Sequence, residues 1–196
     1  MSPEAIFQHT ATFYSLIVGL AVANVLSAMA NTAKSSARVR WYWMHAAAAA
    51  MLLLVIAQDW WFLLSWDGPR RVSHPILVFL LARAGVLFFA SSLLVPEPHD
   101  AADGVLDLHA HMLRVRRRFF ATLLGYALLD HTDTLLKGPE RLTALGPYYP
   151  AYVVIFVSLM LAATVVRTER VPGIVIVIML TVQLLTIVAR VAGLTV

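Results

Sequence analysis

Six stretches of the chain are apolar over about the 20 residues that a helix needs to cross a bilayer. They run roughly over 12–32, 42–66, 75–95, 119–136, 149–166 and 171–194. In hydrocarbon a backbone N–H or C=O must find its partner inside the segment, so such stretches are expected to be helical. Six of them take up most of the 196 residues. The expected fold is therefore all-α, a polytopic bundle of six transmembrane helices forming a single domain over residues 1–196. Composition agrees: 13% of residues are charged, about half the share in a soluble domain.

Several function classes fall away at once. The sequence has no cysteine, which removes disulfides, thiolate nucleophiles and Cys-ligated metals. The pI of 9.8 would suit a nucleic-acid partner, but no nucleic-acid motif accompanies it, and loop arginines in a membrane protein follow the positive-inside rule. The expected partners are the lipid bilayer and a second copy or another membrane protein. HExxH, GxSxG and P-loop signatures are missing, as is a mid-span lysine for a Schiff base. His45 and His131 lie at different depths, which disfavours bis-His haem. No catalytic residue, metal or cofactor is assigned.

Orientation follows from the loops. Lys34, Arg38, Arg40, Arg114, Arg116, Arg117, Arg118, Arg167 and Arg170 follow spans one, three and five, against Arg70, Arg71, Lys137 and Arg141 after spans two and four. The richer side is expected to be cytoplasmic, which puts both termini outside, in a bacterial inner membrane. Trp41, Trp43, Phe119 and Phe120 would mark the inner surface, and Trp60, Trp61, Trp66, Tyr148 and Tyr149 the outer one. Residues 1–11 carry no Lys or Arg, so the first span is expected to be retained, although Ala28-Met29-Ala30 has the form of a cleavage site.

Against this apolar background the segment LLDHTDTLL, residues 128–136, stands out. Ionisable groups inside a membrane are costly and mark either a site or a structural ion pair. Counting at about 1.5 Å per residue puts Asp59 and Asp130 about 10 Å, and Arg83 about 12 Å, below the outer ends of their spans. His131 and Asp133 share that zone. Gln183, Thr186 and Arg190 fall on one face of span six, with Arg190 at the same level. The expectation is a common outer-half pocket with Asp130 and Asp59 receiving a cation or proton, Arg83 as counter-charge, and His131 and Asp133 at the gate. The proximity of two carboxylates would favour protonated His131. Adjacent Asp130 and His131 point to different helix faces, so a shared metal is not expected. Asp133 and Lys137, four apart, can pair on their own helix.

Gly19, Ala23, Ser27 and Asn31 recur every fourth residue, the small-residue row that lets helices approach closely. This row, with Ala46–Ala50 as a smooth partner face, suggests internal packing ahead of an oligomer seam, and mid-span Asn24 should bond across helices. The segment FYSLIVGLAVAN (13–24) also aligns with FFATLLGYALLD (119–130), which admits a three-plus-three inverted repeat. Ala82-Arg83 and Ala189-Arg190 match in a sense that opposes inversion. In the longest loop, 96–118, Asp103 and Asp107 precede a run of arginines, which suits an interfacial helix leading into span four. His99, His109 and His111 there are expected to be solvated.

LIVGLAVANVL in span one, Trp60-Trp61, LLVPEP closing span three, RRRFF opening span four and LLDHTDTLLKG closing it give the chain a further identity. With these features it resembles a group of short bacterial six-helix inner-membrane proteins of uncharacterised function. The resemblance runs the full length and implies fold and location, without an activity. From the residues, three functions stay open. One is a small channel or transporter, or a subunit of one, for a cation, proton or small polar solute. The second is a non-catalytic membrane scaffold or sensor with structural buried charges. The third is an intramembrane enzyme acting on a lipid or quinone.

Overall fold

The computed structural model describes residues 3–35, 38–63, 73–97 and 104–192, with the side chains of residues 190 and 191 excepted. Trp66, Arg70, Arg71, His99, Asp103 and the Arg190 side chain therefore lie outside the described residues. The described chain is helical apart from two short strands: α1 Pro3–Lys34, β1 Arg38–Arg40, α2 Trp43–Leu63, α3 His74–Leu93, β2 Val105–Asp107, α4 Leu108–Leu136, α5 Pro139–Leu145, α6 Tyr149–Val165 and α7 Arg170–Val191.

Four helices, α1, α2, α3 and α7, are long and apolar enough to cross a membrane, and a fifth span arises if α5 and α6, bent by 84°, are counted as one. α4 has 29 residues, ample length at about 1.5 Å each. Its four arginines at one end and the Asp130–Asp133 run at the other make it more polar than the rest. Length and composition thus identify four to five spans, fewer than the six expected.

The principal neighbours close into a ring: α1 packs on α3, α3 on α4, α4 on α6, α6 on α7, α7 on α2, and α2 back on α1. Weaker contacts of α2 with α3 and α4 cross the middle. Exchanging the first three long helices for the last three carries α1–α2 onto α4–α6 and α2–α3 onto α6–α7, but the most extensive contact, α1–α3, has no comparable α4–α7 counterpart, so the inverted repeat is not established. Fully buried Met44, Met51, Leu52, Leu87, Phe119 and Phe120 fill the interior. Phe13, Leu16, Leu20, Leu184 and Leu185 are among many large apolar residues facing outward, as expected where the surroundings are lipid.

On α1 the buried face steps through Tyr14, Val18, Ala21, Val25, Ala28 and Thr32, at helical spacings of three and four. The small-residue row lies off this face. Gly19, Ala23, Ser27 and Asn31 are exposed, and a Cβ at Gly19 would meet nothing within 4 Å. Internal packing through this row is corrected. An apolar helix carries no polarity difference to mark its inner side, so spacing alone selected the wrong stripe. Asn24 does bond across helices, with Nδ2 donating to Ser91 Oγ at 3.2 Å and Ser92 Oγ at 3.1 Å on α3. Asn24→Leu should lower stability by about 1 kcal/mol, measured by denaturant titration in mixed micelles. A change near zero would show the bond to be offset by lipid-facing alternatives.

Three loops meet at one end. β1 pairs in parallel with β2, Val39 opposite Leu106, and Arg40 bridges Asp107 at 3.0 Å. Glu169, before α7, accepts from Tyr42 (3.4 Å) and lies 3.2 Å from His109 Nε2. The His109 bond holds the Glu169 carboxyl below its usual range. Arg116 donates to the Arg167 carbonyl. The basic residues Arg38, Arg40, Arg116 and Arg167 therefore share one end of the bundle, while α5 sits at the other. Positive-φ Gly138 and Gly146 bracket α5 and allow its sharp entry and exit.

Three expectations at the basic end are corrected. α4 starts at Leu108, capped by Asp107 Oδ1 on the His109 and Ala110 amides, and it runs unbroken into the bundle without a separate interfacial helix. His111 is buried, with Nε2 3.2 Å from the Leu93 carbonyl, and its ring meets that of His45 edge-on. Phe119 and Phe120 are fully buried, not at a surface belt. Trp43 and Trp60 are exposed and lie about 26 Å apart along α2, close to the roughly 30 Å hydrocarbon thickness.

Candidate functional site

Arg83 on α3 is the centre of the polar cluster. Burial of a guanidinium is tolerable only when its donors meet acceptors and its charge is balanced. Nη2 lies 2.6 Å from Asp59 Oδ1 on α2 and 2.7 Å from Asp130 Oδ1 on α4, and Nη1 lies 3.1 Å from Asp133 Oδ2. The Arg83 carbon also sits 5.4 Å from the Tyr126 ring centre, a cation–π contact. Three helices thus meet on one side chain.

Two tyrosines complete this centre. Tyr14 on α1 and Tyr126 on α4 both donate their hydroxyl protons to Asp59, the latter at 2.9 Å. Asp59 is 1% exposed and receives one guanidinium and two phenols. It is a saturated carboxylate with no face left for a ligand. Lys137 forms a second centre. Its ammonium reaches Asp133 Oδ2 at 2.6 Å and donates to the Phe62 carbonyl in the last turn of α2 at 3.3 Å, as basic side chains do at helix C-termini. Lys137 is 3% exposed and is an internal group, not an outer-loop charge.

Beside the cluster opens a cavity of about 390 Å³ between α2, α4, α5, α6 and α7. Asp130, Asp133, Tyr126, Lys137 and Gln183 line it, whereas Asp59 and Arg83 lie behind Tyr126. The Asp130 side chain is 36% exposed, against 4% for Asp133. Its lining on α4 runs from Leu123 to Lys137, about 21 Å of helix. One turn before Leu123 on the same face, Phe119 lies outside the lining and belongs to the buried core with Met44 and Ala163.

Of the expected site residues, the structure joins Asp59, Arg83, Asp130 and Asp133 directly. Gln183 lines the cavity, and its Oε1 is buried without a partner among the described residues. Thr186 lines it too, while its hydroxyl bonds back to the Val182 carbonyl at 2.8 Å. His131 departs from expectation. Its Nδ1 lies 3.1 Å from the Tyr149 hydroxyl, and no carboxylate contacts it among the described residues. Neighbouring residues on a helix diverge, which sends His131 toward α6 while Asp130 faces α3. No group of three His, Cys, Asp or Glu suited to a metal occurs among the described residues.

Sequence reading missed Tyr14, Tyr126 and the buried role of Lys137. Tyr126 is four residues before Asp130 and so on its face, a signal that was available. Tyr14 carried none until the packing of α1 beside α2 was known. No protein-family model matches the chain, and no curated protein or solved structure is similar to it.

Proposed function

We propose that the protein is a small transporter, or a subunit of one, that takes a cation or proton from the α5 side through Asp130. The reading adopts six spans, counting α4 and joining α5 to α6, with both termini outside a bacterial inner membrane. Support for that orientation comes from the arginines of three loops collected at the β1–β2 end, facing the cytoplasm under the positive-inside rule. The resemblance to short six-helix inner-membrane proteins fits this placement.

One observation carries the reading: of the three carboxylates that meet Arg83, Asp130 is the exposed one, its side chain 36% exposed against 0% for Asp59 and 4% for Asp133, and it lines the cavity. The Asp130 carboxylate is held by Arg83 on one side and borders the cavity on the other. The α4 lining starts at Leu123, with buried core before it at Phe119 and Phe120, which favours alternating access over an open pore.

In proteoliposomes, Asp130→Asn should abolish cation- or proton-driven flux while the purified variant keeps its helical content and thermal midpoint. Undiminished flux would remove Asp130 from the mechanism. A second reading has its own support. The Tyr14–Asp59–Arg83 half is buried and extensively bonded, with Arg83 Nε left unpaired among the described residues, as in a scaffold whose charges hold helices together. Under that reading Asp130→Asn lowers stability and leaves no flux to lose.

A further inference from the structure

The cavity is more specific than a cation pathway requires. A metal ion would want several oxygen ligands, and the described residues hold no such group. A proton needs only a titratable relay, not a chamber of about 390 Å³, a size within the usual range for organic ligands. The walls add a further constraint. Tyr149, Tyr152 and Phe156 follow one another along α6 with ring centres 6.4 and 5.8 Å apart, offering π faces beside the acidic group. Weakly hydrated organic cations are attracted to such faces. Deeper down, Met51, Met160 and Met179 line the end of the cavity, and methionines adapt to varied apolar shapes.

Gln183 supplies an independent sign. It is 6% exposed, lines the cavity, and leaves Oε1 without a partner among the described residues. A buried acceptor left unpaired is costly, and a ligand N–H would satisfy it. We propose that the cavity binds a protonated amine bearing an apolar substituent, its ammonium shared between Asp130 and Gln183 and its apolar part among the α6 rings and the methionines. This assignment deepens the transport reading and rests on the same cavity. Arg141, on the surface helix α5, also lines the cavity and opposes entry of a cation.

The test uses the full chain in lipid nanodiscs, with empty nanodiscs as background, and isothermal titration of 4-phenylbutylamine, 4-phenylbutanol and 4-phenylbutyrate. The amine should bind saturably and at least about tenfold tighter than the alcohol, the worth of one charge-assisted hydrogen bond. Asp130→Asn should remove that preference. Tyr152→Leu, which leaves the ion cluster intact, should weaken the amine more than the alcohol. Arg141→Gln should tighten amine binding severalfold. Equal binding of amine and alcohol overturns the assignment, as does preferred binding of the butyrate that weakens in Arg141→Gln. Failure of the transport reading looks different: amine binding that depends on Asp130 with no flux in proteoliposomes. Flux that depends on Asp130 without amine binding overturns the amine assignment and leaves transport standing.

Discussion

Arg83→Leu is expected to lose about 3–5 kcal/mol of stability, the usual cost of removing one partner from a buried charge pair. The guanidinium touches Asp59, Asp130 and Asp133 at once, and leucine would leave three carboxylates close together without the cation they share. Folding would then require protonating them or admitting water. Denaturant titration in mixed micelles measures the loss. Adding Asp59→Asn to the same chain should restore part of it, because the two sites share a contact and their effects are not additive. Stability unchanged by Arg83→Leu would mean that the cluster is hydrated and that its pairs hold nothing together.

The second large effect concerns the core next to the deep end of the cavity. Phe119→Ala should cost about 3–5 kcal/mol, the range for emptying a fully buried aromatic site. Phe119 has no exposed surface, packs edge-on against Phe120 at 5.5 Å between ring centres, and lies one turn below the cavity residue Leu123. The alanine variant should also deepen the chamber toward the basic end. Both consequences are measurable, the first by unfolding and the second by tighter binding of amines with longer apolar tails. A variant that loses stability without accepting longer ligands would show that neighbouring Met44 or Met160 collapses into the gap.

Helix positions were legible because apolar length leaves few alternatives in a membrane. α2 and α3 begin and end within a few residues of the expected spans. Facing was not legible where every side of a helix is apolar, and α1 illustrates this: spacing singled out Gly19, Ala23 and Ser27, whereas packing chose Tyr14, Val18 and Val25. Polar residues were the better guides. Asp59, Arg83, Asp130 and Asp133 could be placed at one level by counting residues, because an unpaired charge at that depth is too costly to leave alone. His131 showed the limit of counting, since equal depth does not set direction. The aromatic signals divided similarly. Exposed Trp41, Trp43, Trp60 and Trp61 sit toward the two ends of α2, but Phe119 and Phe120 lack a polar edge to draw them to an interface and went to the core.

The joined loops at the basic end have a bearing on direction. Arg40–Asp107, the β1–β2 pairing and the contacts of Glu169 lace three connections together at the far end from the chamber. A bundle fastened at one mouth and hollow at the other has a resting polarity built into its surface chemistry. For a carrier, unfastening those few exposed bonds is the step that would let cargo leave on the opposite side. The balance between loading and release would then be set by groups roughly a membrane's width from the residue that holds the cargo.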